Sequence, residues 1–390
     1  MSGKQCYSTQ CHSRDAQRQL RVLLDGTPLL GQRSGIGHYT AALLRELAVR
    51  SDVDVTVTAF TARGQVALRG AVPPGVAVRG GPVPARALRA LWQRVGWPPA
   101  ELLATGADVL HATNFVLPPS RHARGVVTVH DLAFLDRPDY LAPQQRDLPD
   151  LVTRSVARAA VVCTPSAAVA EQVARRFDIP AQRIVVTPLG VDRSWLAATG
   201  PTEALRTRLG LPPRYLLFVG AAQPRKGLDV LLDAHASQPC LAPLVLAGPA
   251  GWGSAPVTSP RVRALGYLHD ADLRCVVAGA TALVLPSRAE GFGLPVLEAM
   301  ATGVPVVCSD LPALREIAGG LATLVPPENP AVLATALASV DGAAGSADDA
   351  AAAGCDPAGA AARRAHAARY TWQACAEATV RAYRGARDCL

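Results

Sequence analysis

The chain has 390 residues, enough for two compact domains of roughly 150–200 residues each. With 49% apolar and 18% charged residues it is an ordinary globular sequence rather than a disordered one. Aromatics make up only 5% and no Lys/Arg block occurs, so a nucleic-acid partner is not expected; a formal net charge of +8, mostly arginine, favours anionic partners such as nucleotides, phosphates or an acidic membrane surface without choosing among them.

The N-terminal stretch "MSGKQCYSTQCHSRDAQRQL" lacks the apolar run of a secretory signal and reads as a disordered tail. Nine scattered cysteines (Cys6, Cys11, Cys163, Cys240, Cys275, Cys308, Cys355, Cys375 and Cys389) form no C-x-x-C pair. This is the pattern of reduced thiols in a cytoplasmic protein, without a zinc site.

From there the elements alternate. Strand-like runs in the first half are "RVLLDG", "VDVTVTAF", "VAVRG", "DVLHATN", "VVTVHDL", "AVVCTPS" and "IVVTPLG". The second half carries "YLLFVG", "LVLAG", "RVRALG", "ALVLPS", "PVVCSD" and "ATLVPP". Helical patterns such as "HYTAALLRELAVR" and "GLDVLLDAHA" lie between them, which predicts parallel sheets covered by helices. The alternation pauses at "RSWLAATGPTE", an expected inter-domain connection. "DGAAGSADDAAAAGCDPAG" has too little bulk for a core and reads as a loop with fraying helix. The last segment is helical again, anchored by Trp372 and Tyr383. Two doubly wound α/β domains around a cleft is the expected architecture, with ligands beyond the carboxyl ends of the strands.

Polar residues just after strands therefore carry the functional argument. In "SRAEGFGLPVLEAMATGVPVV", Glu290, Gly291, Phe292 and Gly293 form a loop and a helix runs from about Leu294 to Thr302, started by Pro295 and stopped by Gly303 and Pro305. Glu290 and Glu298 are then separated by little more than one helical turn, so both carboxylates can face one ligand at the helix N-terminus. The competing structural reading makes Glu290 a solvated loop residue and Glu298 a residue that compensates the helix dipole. In "FVGAAQPRKGLDVLLDAHA", Arg225 and Lys226 stand where a helix begins, against a dipole worth about 0.3–1 kcal/mol to each. A bound diphosphate would reverse that sign, whereas two solvated cations are the alternative.

Gly35 and Gly37 in "GQRSGIGHYT" are too few for a dinucleotide fingerprint but suit a backbone approaching a diphosphate. His130 in "VHDLAF" ends a strand and is placed to bind a ligand or shuttle a proton; His111 carries less weight. Asp52-x-Asp54 opens a strand with no further ligand at metal spacing, so no metal is expected there.

"E290-GFGLPVL-E298" with its flanks resembles the E-x7-E signature of retaining glycosyltransferases of family 4, and "GIGHYT", "VHDLAF", "PLGVD" and "PRKG" follow in that family's order. The resemblance implies a GT-B fold, two Rossmann-like domains facing a cleft. It divides the chain into a tail (1–20), an acceptor domain (21–197), a nucleotide-sugar donor domain (198–371) and a C-terminal helix (372–390) that can pack back on the first domain.

It further implies that Glu290 meets the donor hexose and Glu298 the ribose. Arg225 and Lys226 would hold the diphosphate with backbone amides of Phe292, Gly293 and Leu294, Gly35 and Gly37 would lie beside the phosphates, and His130 would meet the transferred sugar. Many relatives carry asparagine where Gly227 stands, which leaves the helix cap open. The expected reaction is metal-independent hexosyl transfer with retention, needing no cofactor beyond a nucleoside-diphosphate sugar, GDP-mannose before UDP-sugars, to an acceptor hydroxyl. Epimerisation of a sugar nucleotide and non-catalytic closure on a sugar or nucleotide are the competing readings, and a peripheral position at the inner face of a membrane is compatible with the charge.

Overall fold

A computed structural model describes residues 19–388 apart from 82–86, 89–90, 93–94, 103–105, 143–144, 252–258 and 343–355. Most of the expected tail, the alanine-rich stretch from residue 343 to 355, and Cys6, Cys11, Cys355 and Cys389 lie outside the described residues.

The first sheet comprises β1 (Leu20–Asp25), β2 (Val53–Thr58), β3 (Ala77–Arg79), β4 (Val109–Ala112), β5 (Arg124–Thr128), β6 (Val161–Thr164) and β7 (Ile184–Val186). Its order is β3-β2-β1-β4-β5-β6-β7 and its strands pair in parallel throughout. The second comprises β8 (Leu216–Val219), β9 (Leu244–Ala247), β10 (Val262–Gly266), β11 (Ala282–Leu285), β12 (Val306–Ser309) and β13 (Thr323–Val325), in the parallel order β10-β9-β8-β11-β12-β13. Each expected strand run forms a strand. β4, β6, β8, β9, β11 and β12 are buried at every residue, as unbroken apolar runs demand when helices cover both faces of a parallel sheet. In both sheets the chain turns back at its first strand, so each has a switch point, β1/β4 and β8/β11, where a ligand crevice opens. Two such units around one cleft make the GT-B arrangement.

Two boundaries differ from expectation. Leu20 already pairs with Val53 in β1, so the strand reaches into the stretch assigned to the tail. The low-bulk segment is helical at both ends: Asp341 closes the Pro330–Asp341 helix, and Asp356 caps the Pro357–Ala367 helix by accepting from the Gly359 amide at 2.8 Å. Asp341 is buried, pairing with Arg214 at 3.0 Å and accepting from the Ala242 amide at 2.8 Å. One buried carboxylate thus joins three segments at the near end of this stretch.

The chain crosses between the lobes twice, and the crossings touch. The Val191 amide donates to the Tyr370 carbonyl at 3.0 Å. A Cβ on Gly190 would fall 2.2 Å from the Trp372 nitrogen, so only glycine permits this approach. The final helix, Trp372–Asp388, then packs on β4, β5, β6, β7 and the Gly35–Ala48 helix of the first lobe. Its Tyr383 hydroxyl meets His111 Nδ1 at 2.7 Å, and His111 Nε2 meets Thr128 Oγ1 at 2.8 Å. Burial drives the His111 pKa down to about 3, so the ring is a neutral structural link. Asp52, the first carboxylate of the discounted metal pattern, is engaged by Arg50 at 2.9 Å and by Arg384 of the final helix at 2.5 Å.

Candidate active site

A cleft of about 1510 Å³ separates the lobes, well above the roughly 300–1,000 Å³ of an ordinary small-molecule site. It has room for more than one substrate.

On the second lobe, β8 ends before a single 3-10 turn, Pro224–Lys226, that stops at Gly227. Gly227 has φ +63°, and a Cβ there would sit 2.1 Å from the Pro286 carbonyl oxygen, so glycine itself makes the entry to the Leu228–Ala236 helix without a side-chain cap. The turn lifts Arg225 and Lys226 toward the loop after β11. Lys226 Nζ donates to Glu290 Oε1, which also accepts from Ser287 Oγ at 3.0 Å, and Arg225 Nη1 lies 3.6 Å from Glu290 Oε2. Burial pushes the Glu290 carboxyl up, but Lys226 and Arg225 together outweigh it and hold the pKa below its usual value. Burial depresses Lys226, assisted by Arg225, against the pull of Glu290. Two cations and one anion leave one net positive charge within this three-residue cluster.

The sequence contains two lysines, Lys4 and Lys226, among 39 basic residues. Where arginine serves nearly everywhere else, an ammonium in this slot indicates a need for a compact point charge.

The Leu294–Thr302 helix starts at Gly293 (φ +94°) and ends at Gly303 (φ +83°). Gly293, Leu294 and Pro295 line the cleft; Pro295 has no N–H and the Val296 and Leu297 amides bond the Gly293 carbonyl, so the amides of Gly293 and Leu294 are the donors left at this helix start among the described residues. Glu298 lines the same cleft, and burial, then Asp270 and Asp192, raise its pKa to about 8 against the opposing charge of Arg274. The structure thus brings Arg225, Lys226, Glu290 and Glu298 to one wall.

The glycines divide by role. Gly35 lines the cleft with nothing within 4 Å of an added Cβ. Gly37 does not belong to the cleft wall: it is buried, and a Cβ would come 2.8 Å from the Pro28 carbonyl, so it serves the packing of the loop under the Gly35–Ala48 helix. Gly291 lies tight against the first lobe, since a Cβ there would stand 1.6 Å from the His130 carbonyl oxygen. Its own carbonyl accepts from Ser166 Oγ at 2.7 Å. Beside it Glu316 accepts from the Ala167 and Ala168 amides at 3.0 and 3.2 Å, capping the Ala167–Phe177 helix from the opposite lobe. Phe292 is buried, edge-on to Tyr370.

His130 faces this wall from the first lobe. Its Nε2 lies 2.8 Å from the Thr113 carbonyl, which only accepts, so Nε2 carries the proton and Nδ1 is left as an acceptor. Burial lowers its pKa, outweighing the Thr113 carbonyl and Asp131. Tyr39 and Phe115 hold the ring edge-on at 5.1 and 5.6 Å. The ring is fixed in place with Nδ1 open as a hydrogen-bond acceptor.

Sequence reasoning passed over Asp25, Asn114 and Glu316. The strand-end rule would have found the first two, since Asp25 ends β1 and Asn114 follows β4 at the switch point. Nothing local marks Glu316.

The described residues contain no helix long and apolar enough to cross a membrane. Residues 33–195 match the family described as Glycosyltransferase Family 4, and residues 213–340 match Glycosyl transferases group 1. The O-antigen chain mannosyltransferase B of Escherichia coli is 32% identical over 71% of this chain and 74% of its own length. A D-inositol 3-phosphate glycosyltransferase of Stackebrandtia nassauensis is 29% identical over 96% and 92%. Among solved structures, Anabaena HepE in complex with UDP-glucose superposes with a TM-score of 0.66 at 19% identity, covering 93% of this chain and 99% of that one. A sucrose-phosphate synthase from Thermosynechococcus elongatus gives 0.64 at 21% identity, covering 94% and 98%. With its two parallel-sheet lobes, its cleft and these matches, the chain belongs to the family 4 glycosyltransferases of the GT-B fold.

Proposed function

We propose that the protein transfers a hexosyl group, mannosyl first, from a nucleoside-diphosphate sugar to an acceptor hydroxyl, with retention at the anomeric carbon. The observation that carries this is the buried Arg225–Lys226–Glu290 cluster sharing one wall with Glu298 and the open N-terminus of the Leu294–Thr302 helix. As the bond between the anomeric carbon and the phosphate oxygen breaks, negative charge collects on the diphosphate. Arg225, Lys226 and the amides of Gly293 and Leu294 stand on the wall that would meet it and would supply the positive charge that a metal provides elsewhere. The acceptor oxygen adds on the same face, and its proton passes to the departing phosphate. Glu290 meets the hexose, Glu298 the ribose hydroxyls, and His130 Nδ1 accepts from a hydroxyl of the transferred sugar. GDP-mannose is the first donor because the E. coli relative is a mannosyltransferase, and UDP-glucose, which HepE binds, is the second.

The experiment is a thermal-shift screen of nucleotide-sugars, since a ligand specific to the folded state raises its stability by mass action. It is followed by transfer assays in EDTA on wild type, Lys226→Ala and Glu290→Ala, with the product anomer read by NMR. Stabilisation by one donor, an unchanged anomeric configuration and loss of turnover in both variants are expected. Near wild-type turnover in both variants, or an inverted product, overturns the assignment.

A further inference from the structure

Behind the charged wall lies a third cation that the transfer chemistry does not use. Arg288 stands on the Glu290 loop, yet neither it nor its partners Asp229 and Glu328 line the cleft. Its Nη1 donates to the Pro224 carbonyl and to Asp229 Oδ1, both at 2.8 Å, its Nη2 to Asp229 Oδ2 at 2.7 Å, and its Nε to Glu328 Oε1 at 2.8 Å. One planar fork thus ties the Glu290 loop to three other places: the Pro224–Lys226 turn, the first turn of the Leu228–Ala236 helix and the approach to the Pro330–Asp341 helix.

The Pro224–Lys226 turn needs such a tie. It is a single 3-10 turn, closed by the Lys226 amide on the Gln223 carbonyl at 2.9 Å and the Gly227 amide on the Pro224 carbonyl at 3.3 Å, and the helix after it has no side-chain cap. Both cations of the site nevertheless stand on it. The turn and the acidic loop are laced together around Arg288. The Arg288 amide donates to the Arg225 carbonyl at 2.8 Å, Arg225 Nη1 donates to the Ala289 carbonyl at 3.3 Å, and Lys226 Nζ donates to Glu290. The Pro138–Tyr140 turn of the first lobe also packs on it, but that support comes from across the cleft and not from the fold of the second lobe.

The tie is built at a cost. The Arg288 side chain is 16% exposed, whereas both of its carboxylate partners are more than half exposed, so the guanidinium is the part withdrawn from water. Glu328 has φ +58°, a left-handed conformation rare for residues other than glycine, and strain of this kind persists where the surrounding fold imposes it. A third cation beside Arg225 and Lys226 would repel them, but Asp229 and Glu328 offset its charge and leave the geometry of the fork.

We infer that Arg288 is a positioning residue for the transfer: it fixes the Pro224–Lys226 turn against the Glu290 loop, so that Arg225 and Lys226 are held where charge develops on the diphosphate. It acts through those two cations and touches no substrate. The inference rests on the transfer reading above.

The test uses the purified full chain with the donor found by thermal shift, and compares wild type with Arg288→Ala, Arg288→Lys and the double variant Asp229→Ala/Glu328→Ala. A misplacement of ~1 Å costs about 10²-fold in a reaction that depends on positioning, so Arg288→Ala should lose about that factor in kcat while donor KM rises less than about tenfold. Arg288→Lys keeps the charge without the fork and should stay at least about tenfold below wild type. Guanidinium chloride well below denaturing concentration should recover kcat several-fold in Arg288→Ala but not in Lys226→Ala, and sodium chloride at the same ionic strength should recover neither. The double variant frees the fork by changing only exposed carboxylates, should lower kcat at least about tenfold, and keeps the test decisive if Arg288→Ala does not fold. A merely structural arginine would lower the melting temperature and leave kcat and donor KM unmoved. That result, full activity of Arg288→Lys, or rescue that is absent or equal in sodium chloride overturns the proposal. If no nucleotide-sugar binds, or Lys226→Ala retains turnover, the transfer reading falls and takes this inference with it; donor binding and Lys226-dependent turnover with unaltered kinetics in the Arg288 variants sink only the positioning role.

Discussion

Replacing Gly291 by alanine tests whether the lobes must meet as closely as the structure shows. The added Cβ would stand 1.6 Å from the His130 carbonyl oxygen, 2.8 Å from its carbonyl carbon and 3.3 Å from Asp131 Cβ. A carbon–oxygen contact relaxes to about 3.3 Å, so the two backbones must part by about 1.7 Å along that line. His130 follows β5 and Gly291 precedes the Leu294–Thr302 helix, so neither backbone yields easily within its own lobe. Gly291 is also absent from the positive-φ residues, so alanine is not strained by its own backbone there. The displacement therefore falls on the two crossings, and the cleft opens. Opening separates Ser166 from the Gly291 carbonyl and Glu316 from the Ala167–Phe177 helix, which shifts the equilibrium further. A misplacement of ~1 Å costs about 10²-fold in a reaction that depends on positioning. Gly291→Ala should therefore lose at least that factor in kcat/KM, while nucleotide affinity, set mainly by the second lobe, changes little. Small-angle scattering should show a larger radius of gyration than wild type, with nucleotide present in both. An unchanged scattering profile together with unchanged turnover would refute the reasoning.

Three further outcomes follow from other contacts. Glu298 has a pKa raised to about 8, so the folded state holds a proton that the unfolded chain releases near 4.5, and that stabilisation is lost as pH rises through about 8. In Glu298→Gln the loss is absent, so the melting temperature of the nucleotide-free variant should gain on wild type from pH 5 to pH 8 while nucleotide affinity drops; parallel melting curves would contradict this. Lys226→Arg keeps the charge but brings a larger, planar group into a slot where Lys226 is only 12% exposed, so turnover should fall at least about tenfold with stability lowered by about 1–3 kcal/mol. Urea unfolding and transfer kinetics check both, and a fully active arginine variant would show that any cation suffices. Glu316→Ala removes the carboxylate that caps the Ala167–Phe177 helix across the lobes, a loss of about 0.5–2 kcal/mol. Hydrogen exchange at Ala167 and Ala168 should quicken; exchange equal to wild type would show that the two lobes do not hold each other there.

The strands were legible because buried parallel strands are unbroken apolar runs, as "VVCT" and "LVLA" show. The Leu294–Thr302 helix was legible to the residue because Gly293, Pro295 and Gly303 mark both ends by backbone chemistry alone. The grouping of Arg225 and Lys226 with Glu290 and Glu298 was reached through strand-end logic and family resemblance. Gly37 lies off the cleft wall and Gly291 lies on it, yet both share one feature: a glycine in a sequence announces a close approach but not what approaches. For Gly37 it is the Pro28 carbonyl, and for Gly291 it is the backbone of the other lobe.

Sequence alone determined two parallel α/β lobes, their strands, and a charged helix entrance paired with an acidic loop, because apolar runs, glycines and prolines act over a few residues. Tertiary structure alone decided that Glu290 binds both cations, and that Phe60, Asp25, Asn114 and His130 stand in one row. Those residues are far apart in the chain, and only the strand order brings β2, β1, β4 and β5 side by side. Adjacency across a sheet is a property of that order, which no local pattern encodes.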